Sequence, residues 1–145
     1  RITKSDTRHA FLLDGYPRTA YQTNFLLNIT TLTGIILLVM EDQKIIARLS
    51  KRRVCMSCGA SYHLESKQPK IADMCDICGA KLVQRDDDKP DTIKARLVTY
   101  REKTEPVIEL LKNKQVPIHQ VRGDWDIKTQ SDEVMQGILE WQKSL

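Results

Sequence analysis

Apolar residues cluster along this chain in short continuous runs separated by segments of helical period. Residues 10–13, Ala-Phe-Leu-Leu, end at Asp14-Gly15 and then Pro17, the pattern of a buried strand running out into a turn. From Thr19 to about Asn28, Tyr21, Phe25, Leu26 and Leu27 recur at a loose helical spacing. Residues 34–40 are too uniformly apolar to alternate, which predicts a second strand covered on both faces. Asp42 is placed to cap a helix that continues through Ile45, Ile46 and Leu49 into the basic cluster Arg48, Lys51, Arg52 and Arg53. Pro90-Asp91 opens a long helix with Ile93, Leu97 and Tyr100 on one face, interrupted at Pro106 and resumed through Val107, Ile108 and Leu111. Residues 116–121 predict a third strand, and Ser131 begins a final helix using Val134, Ile138 and Trp141. Strands alternating with helices predict an α/β fold, a parallel sheet with helices on both faces.

Residues 54–84 break this pattern. They are rich in cysteine, glycine and polar residues, with little periodicity, as in a small insertion that lacks a core of its own. All four cysteines lie here, as two Cys-x-x-Cys pairs, Cys55/Cys58 and Cys75/Cys78, each followed by glycine. Two intervening residues let a tight turn aim both sulfurs at one metal, and glycine tolerates the backbone angles that follow. Four thiolates fill a tetrahedral zinc shell and leave no position for water, so such a metal holds structure. Two disulfides, a redox pair or an iron cluster are the alternatives for the same residues. Zinc implies a reducing, cytoplasmic setting.

Composition narrows the picture further. With 145 residues, 41% hydrophobic and 29% charged, the chain has the make-up of a folded domain. No apolar run approaches the roughly 20 residues of a membrane span. A net charge of +4 suits a phosphate-bearing partner but does not by itself indicate nucleic acid. Residues 1–4 carry neither an initiator Met nor a following apolar leader, and read as the interior of a longer gene product.

Three ordered motifs carry a resemblance. Phe11-Leu-Leu-Asp-Gly-Tyr-Pro-Arg-Thr19 with Gln22, the block Arg48 to Arg53 leading into the cysteines, Tyr62 and Gln84-Arg85-Asp86-Asp87-Asp88, and Arg96-Leu97 with Tyr100, Thr104 and Pro106 together resemble the adenylate kinases of the long bacterial, zinc-lid type. That resemblance implies a partial P-loop-kinase-like sheet, with a core first part over residues 1–47, a zinc lid inserted at 48–88 and the C-terminal core at 89–145. It implies reversible phosphoryl transfer, ATP + AMP to two ADP, with Mg2+ on the nucleotide. Arg52, Arg85, Arg96 and Asp14 would be catalytic, Asp14 helping to hold hydrated magnesium. Gly15, Tyr16, Pro17, Arg18, Gln22, Arg85 and Arg96 would face AMP, Gln22 reading adenine. Arg48, Arg52, Ser61, Tyr62 and the backbone near Asp124 would face ATP.

One departure matters: no Gly-x-x-x-x-Gly-Lys-[Ser/Thr], the loop whose backbone N–H groups and lysine cradle phosphates, occurs in this sequence. The family's first strand is also missing, and it would sit between the strands starting at Ala10 and Gly34. The chain is therefore expected to be a piece of a parent enzyme, inactive alone, whose sheet a missing segment or second chain completes. Two alternatives stay open: a zinc-ribbon module binding nucleic acid through residues 51–53, against which the acidic run 86–88 counts, and a nucleoside monophosphate kinase of another base preference, against which Gln22 counts. Individually, Asp14 also reads as a turn residue and the basic run as a solvated helix face.

Overall fold

The computed structural model describes Ile2, residues 4–7 and residues 9–143. Arg1 and Thr3 of the N-terminal stretch read above lie outside the described residues. Helix α1 (Ala20–Ile29) starts where the Thr19 hydroxyl accepts the Gln22 N–H at 3.3 Å, and it buries Thr23 and Leu26. Strand β1 (Ile35–Val39) follows, then α2 (Asp42–Ser50). Three short strands come next, β2 (Arg52–Cys55), β3 (Ser61–His63) and β4 (Leu82–Val83). A single 3-10 turn (Asp86–Asp88) leads into α3 (Pro90–Lys103), α4 (Glu105–Asn113), β5 (Ile118–Arg122) and α5 (Ile127–Lys143).

The strands form two sheets. β1 and β5 pair in parallel, from Ile35 opposite Ile118 to Val39 opposite Arg122, while β2 lies between β3 and β4 in an antiparallel ribbon. Leu26, Ile93, Val107, Leu111 and Val121 are the buried apolar residues outside the ribbon, contributed by α1, α3, α4 and β5. Helix α2 packs on α3, with Asp42 paired to Arg101, and α5 packs on β5.

The contact of α5 with the parallel pair is unusually close. A Cβ on Gly34 would come within 2.4 Å of the Trp141 ring, and one on Gly137 within 2.7 Å of His119 Cγ. Glycine in the middle of a helix costs about 1 kcal/mol relative to alanine, and the flat His119 ring against Gly137 accounts for its presence. Gly34→Ala should therefore force Trp141 out of its seat and cost about 1–3 kcal/mol by overpacking. A denaturation midpoint unchanged from the parent protein would count against this packing.

Four sequence expectations are corrected. Residues 10–13 form no strand, and Leu12 is 85% exposed, because no described strand offers them a ladder to join. β1 is not covered on both faces: Leu38 and Val39 are exposed at its C-terminal end, and among the described residues only β5 pairs with it. The helix after Asp42 stops at Ser50, so Arg52 and Arg53 sit on β2, not on a solvated helix face. The last helix also starts earlier than Ser131. Asp126 caps it, accepting the Thr129 N–H at 3.1 Å and its hydroxyl at 2.5 Å, so a stronger cap upstream sets the start.

Candidate metal centre and the converging arginines

Cys55-Met-Ser-Cys-Gly-Ala60 and Cys75-Asp-Ile-Cys-Gly-Ala80 fold alike. In each, the first cysteine's N–H donates to the alanine carbonyl, at 2.9 and 2.8 Å, and the glycine N–H returns to that cysteine's carbonyl, at 2.9 and 2.8 Å. Gly59 and Gly79 turn with φ of +77° and +70°, a left-handed geometry that strains any residue with a Cβ. The turns bring all four Sγ atoms within 4.8 Å of one another, with 3.4 Å from Cys55 to Cys78 and 3.5 Å from Cys58 to Cys75. Sulfurs 2.3 Å from a common tetrahedral zinc stand about 3.8 Å apart, so the donor set fits that ion. No disulfide joins them; Cys55 and Cys75 are buried, whereas Cys58 and Cys78 face outward.

The lid's small core is Cys55, Tyr62, Cys75 and Leu82, flanked by Ala60 and Ala80. Tyr62, which the resemblance turns toward ATP, is buried here with its hydroxyl engaged, 3.5 Å from Cys75 Sγ and accepting the Asp76 N–H at 2.7 Å. The contact between the Tyr62 hydroxyl and the Cys75 sulfur is the first cause of two opposite shifts, holding the Cys75 thiol down at about 6 and pushing the phenol up to about 12. Ser61 is exposed on β3.

A residue that the sequence did not single out ties the ribbon to the rest of the chain. His63 Nε2 lies 3.1 Å from the Arg48 carbonyl, and its Nδ1 lies 3.2 Å from the Glu65 and Ser66 N–H groups. Both backbone N–H groups need an acceptor at Nδ1, so Nε2 carries the proton and donates to Arg48. Nothing in local spacing marks such a contact.

At the base of the ribbon three arginines converge on two adjacent aspartates, Asp87 and Asp88. Arg52 grips Asp88 through both fork nitrogens, Nε to Oδ2 at 2.8 Å and Nη2 to Oδ1 at 2.5 Å, and Asp88 is fully buried. Next to it, Arg85 Nη2 pairs with Asp87 Oδ2 at 2.9 Å and Arg96 Nη1 donates to the Asp87 carbonyl at 3.2 Å. Arg52, Arg85 and Arg96 are thus gathered around the short stretch Asp87-Asp88. The neighbouring cations are occupied internally: Lys51 pairs with Glu65 at 2.5 Å, and Arg53 donates to the carbonyls of Ser50 and Arg52.

The turn after Asp14 forms a unit of its own. Gly15 adopts φ +69°, and its carbonyl accepts Arg18 Nε at 2.8 Å; the Arg18 N–H in turn donates to Gln22 Oε1 at 2.8 Å. Tyr16 precedes Pro17 through a cis peptide, and its hydroxyl reaches the Gln22 carbonyl at 3.4 Å. Thr104, where α3 meets α4, donates to the Arg18 carbonyl at 3.2 Å, joining this turn to the helix that carries Arg96. Asp14 is exposed.

A third group sits at the C-terminal ends of β1 and β5, where ligands of open α/β sheets bind. Val39, Met40, Glu41, Lys44, Arg122 and Asp124 line an open cleft of about 490 Å³. Arg122 and then Lys44, at 2.9 and 2.7 Å, hold the Asp124 carboxyl well below the usual carboxylate range. Arg48 Nη1 donates to the Gly123 carbonyl at 2.9 Å, bringing together Arg48 and the Asp124 loop. The Arg122 guanidinium stacks over Trp125, 5.7 Å from its centroid.

Among the described residues no helix is long and apolar enough to cross a membrane. A family model described as adenylate kinase, active site lid, matches residues 52–87. An adenylate kinase of Caldicellulosiruptor saccharolyticus is 40% identical over 143 residues, covering 95% of this chain and 66% of that protein. Those of Acetivibrio thermocellus and Methanocella arvoryzae are 43% and 45% identical over 130 and 139 residues, covering 85% and 92% of this chain but 60% and 62% of their own lengths. The chain thus spans somewhat under two thirds of the relatives it matches. Together, the cysteine lid, the three arginines at its base and the likeness along nearly the whole sequence establish that the chain belongs to the adenylate kinase family.

Proposed function

We propose that the chain serves reversible phosphoryl transfer from ATP to AMP, giving two ADP, in a cytoplasmic enzyme. The carrying observation is the convergence of Arg52, Arg85 and Arg96 on Asp87 and Asp88. Transfer between two nucleotides brings several anionic groups together, and the protein's task is to orient them and spread their charge. Guanidinium forks suit this because they bind phosphate oxygens in pairs and stay charged at any working pH. Arg85, whose partner Asp87 is partly exposed, can exchange that carboxylate for phosphate; Arg18 and Arg96 would join it on the monophosphate. Arg48 and the Asp124 loop border the ATP side. The Gln22 carboxamide oxygen is already taken by the Arg18 N–H, so its NH2 is left to donate to a ring nitrogen of adenine. Asp14, exposed at the turn, would meet nucleotide-bound Mg2+ through water. Zinc on Cys55, Cys58, Cys75 and Cys78 would hold the lid in shape. The unpaired edge of β1 is where a further strand, from a longer chain or a second one, would add.

Calorimetric titration of the zinc-loaded chain tests this reading. AMP should bind more tightly than GMP, and Arg85→Ala or Arg96→Ala should weaken AMP by about tenfold, as expected for a charge-assisted contact of 1.5 kcal/mol. In a coupled ADP assay the 145-residue chain alone should stay at background, since its sequence holds no phosphate-cradling loop. Equal binding of GMP and AMP, or no effect of either substitution, would overturn the assignment.

A further inference from the structure

The two cysteine turns are structural copies twenty positions apart, yet the buried residue that follows each of them differs. Tyr62 follows Cys55 by the same interval as Leu82 follows Cys75, and both side chains are buried in the same cluster. Leu82 only packs. Tyr62 fills the equivalent place and adds a hydroxyl that crosses to the other turn, meeting Cys75 Sγ at 3.5 Å and the Asp76 N–H at 2.7 Å. The backbone N–H of Asp76 can only donate, so it uses a lone pair of the phenol oxygen. The phenol hydrogen is therefore free for the sulfur, and a metal-bound thiolate can only accept it. Cys55, facing Leu82 across the ribbon, has no such side-chain hydroxyl within the cluster.

We infer that Tyr62 is a positioning residue of the metal centre, its hydroxyl clamping the second cysteine turn by donating to the Cys75 sulfur while accepting from Asp76. This rests on reading the four cysteines as a zinc site. Hydrogen bonds from the surrounding shell orient ligands, and their loss typically lowers metal affinity 10- to 100-fold. The Tyr62 ring itself is seated by burial and by Lys67, whose Nζ lies 5.6 Å from its centroid. The hydroxyl can therefore be removed without removing the packing.

The test is zinc transfer from the loaded full chain to a chromogenic chelator, with cobalt substitution as a second readout. Tyr62→Phe should release zinc about 10-fold faster or more. It should also move the thiolate-to-cobalt charge-transfer band to lower energy, because one sulfur loses a proton donor and becomes more electron-rich. Tyr62→Leu, which copies the other turn's residue, should show the same band shift, a readout that packing alone would not produce. Release within twofold of the parent together with an unchanged cobalt spectrum in Tyr62→Phe would overturn the inference. So would a loss of ATP affinity in Tyr62→Phe with the metal kinetics intact, since the hydroxyl would then serve the nucleotide. Absence of zinc from the parent chain itself would instead defeat the underlying metal reading.

Discussion

Stripping zinc with a chelator, or replacing Cys75→Ser, is expected to unfold residues 52–87 while the paired strands β1 and β5 and their helices stay folded. The lid's cluster offers only two large side chains, Tyr62 and Leu82. Burying each contributes about 2 kcal/mol, small beside the roughly 10 kcal/mol that structural zinc supplies to such modules. Serine at position 75 would also leave the Tyr62 hydroxyl without its sulfur. Amide hydrogen exchange checks this, with protection lost throughout β2, β3 and β4 but kept in β5. Metal analysis should give one zinc per chain in protein purified under reducing conditions. A lid that keeps its protection without metal would show that the apolar cluster suffices.

Asp88→Ala is expected to have the next largest effect, about 3 kcal/mol of lost stability. Asp88 is fully buried and holds the Arg52 fork at 2.5 and 2.8 Å. Removing one partner of a buried pair typically costs 3–5 kcal/mol, because the remaining charge is stranded. The Arg52 side chain keeps 32% exposure, which lets water recover part of that loss and favours the lower end. Gln84 reinforces the joint, its Nε2 reaching the carbonyls of Ser50 and Asp88 at 2.9 and 3.1 Å. Denaturation of Asp88→Ala, Arg52→Ala and the double variant checks the claim. The double variant should be less destabilised than the sum of the two singles, and strict additivity would mean that the pair does not hold the lid base. The other ion pairs among the described residues are mostly solvated and are expected to contribute little to stability.

What was readable from sequence was local. Two Cys-x-x-Cys-Gly turns specify their own geometry through short backbone hydrogen bonds, so their spacing alone pointed to the convergence of four sulfurs. The Asp14 to Gln22 motif is likewise largely a local turn, its contacts made within a few residues apart from the bond Thr104 gives to the Arg18 carbonyl. Pro90 and Pro106 marked helix starts because proline lacks the N–H that a helix interior needs. The failures were non-local. Residues 10–13 have the composition of a strand, but a strand exists only where another offers hydrogen bonds. In a three-residue strand such as β3, no periodicity is long enough to say which face Tyr62 takes.

By itself the sequence determined most of the alternation of strands and helices, the two Cys-x-x-Cys turns and the family motifs, since each depends on residues within a turn or two of one another. Only the tertiary structure decided that Arg52 would close on Asp88, that the Tyr62 hydroxyl would lie against Cys75 Sγ, and that Gly34 and Gly137 would admit Trp141 and His119. Those contacts join residues far apart in the chain, and pairing and packing across such distances depend on how whole elements dock, which no short window of sequence encodes.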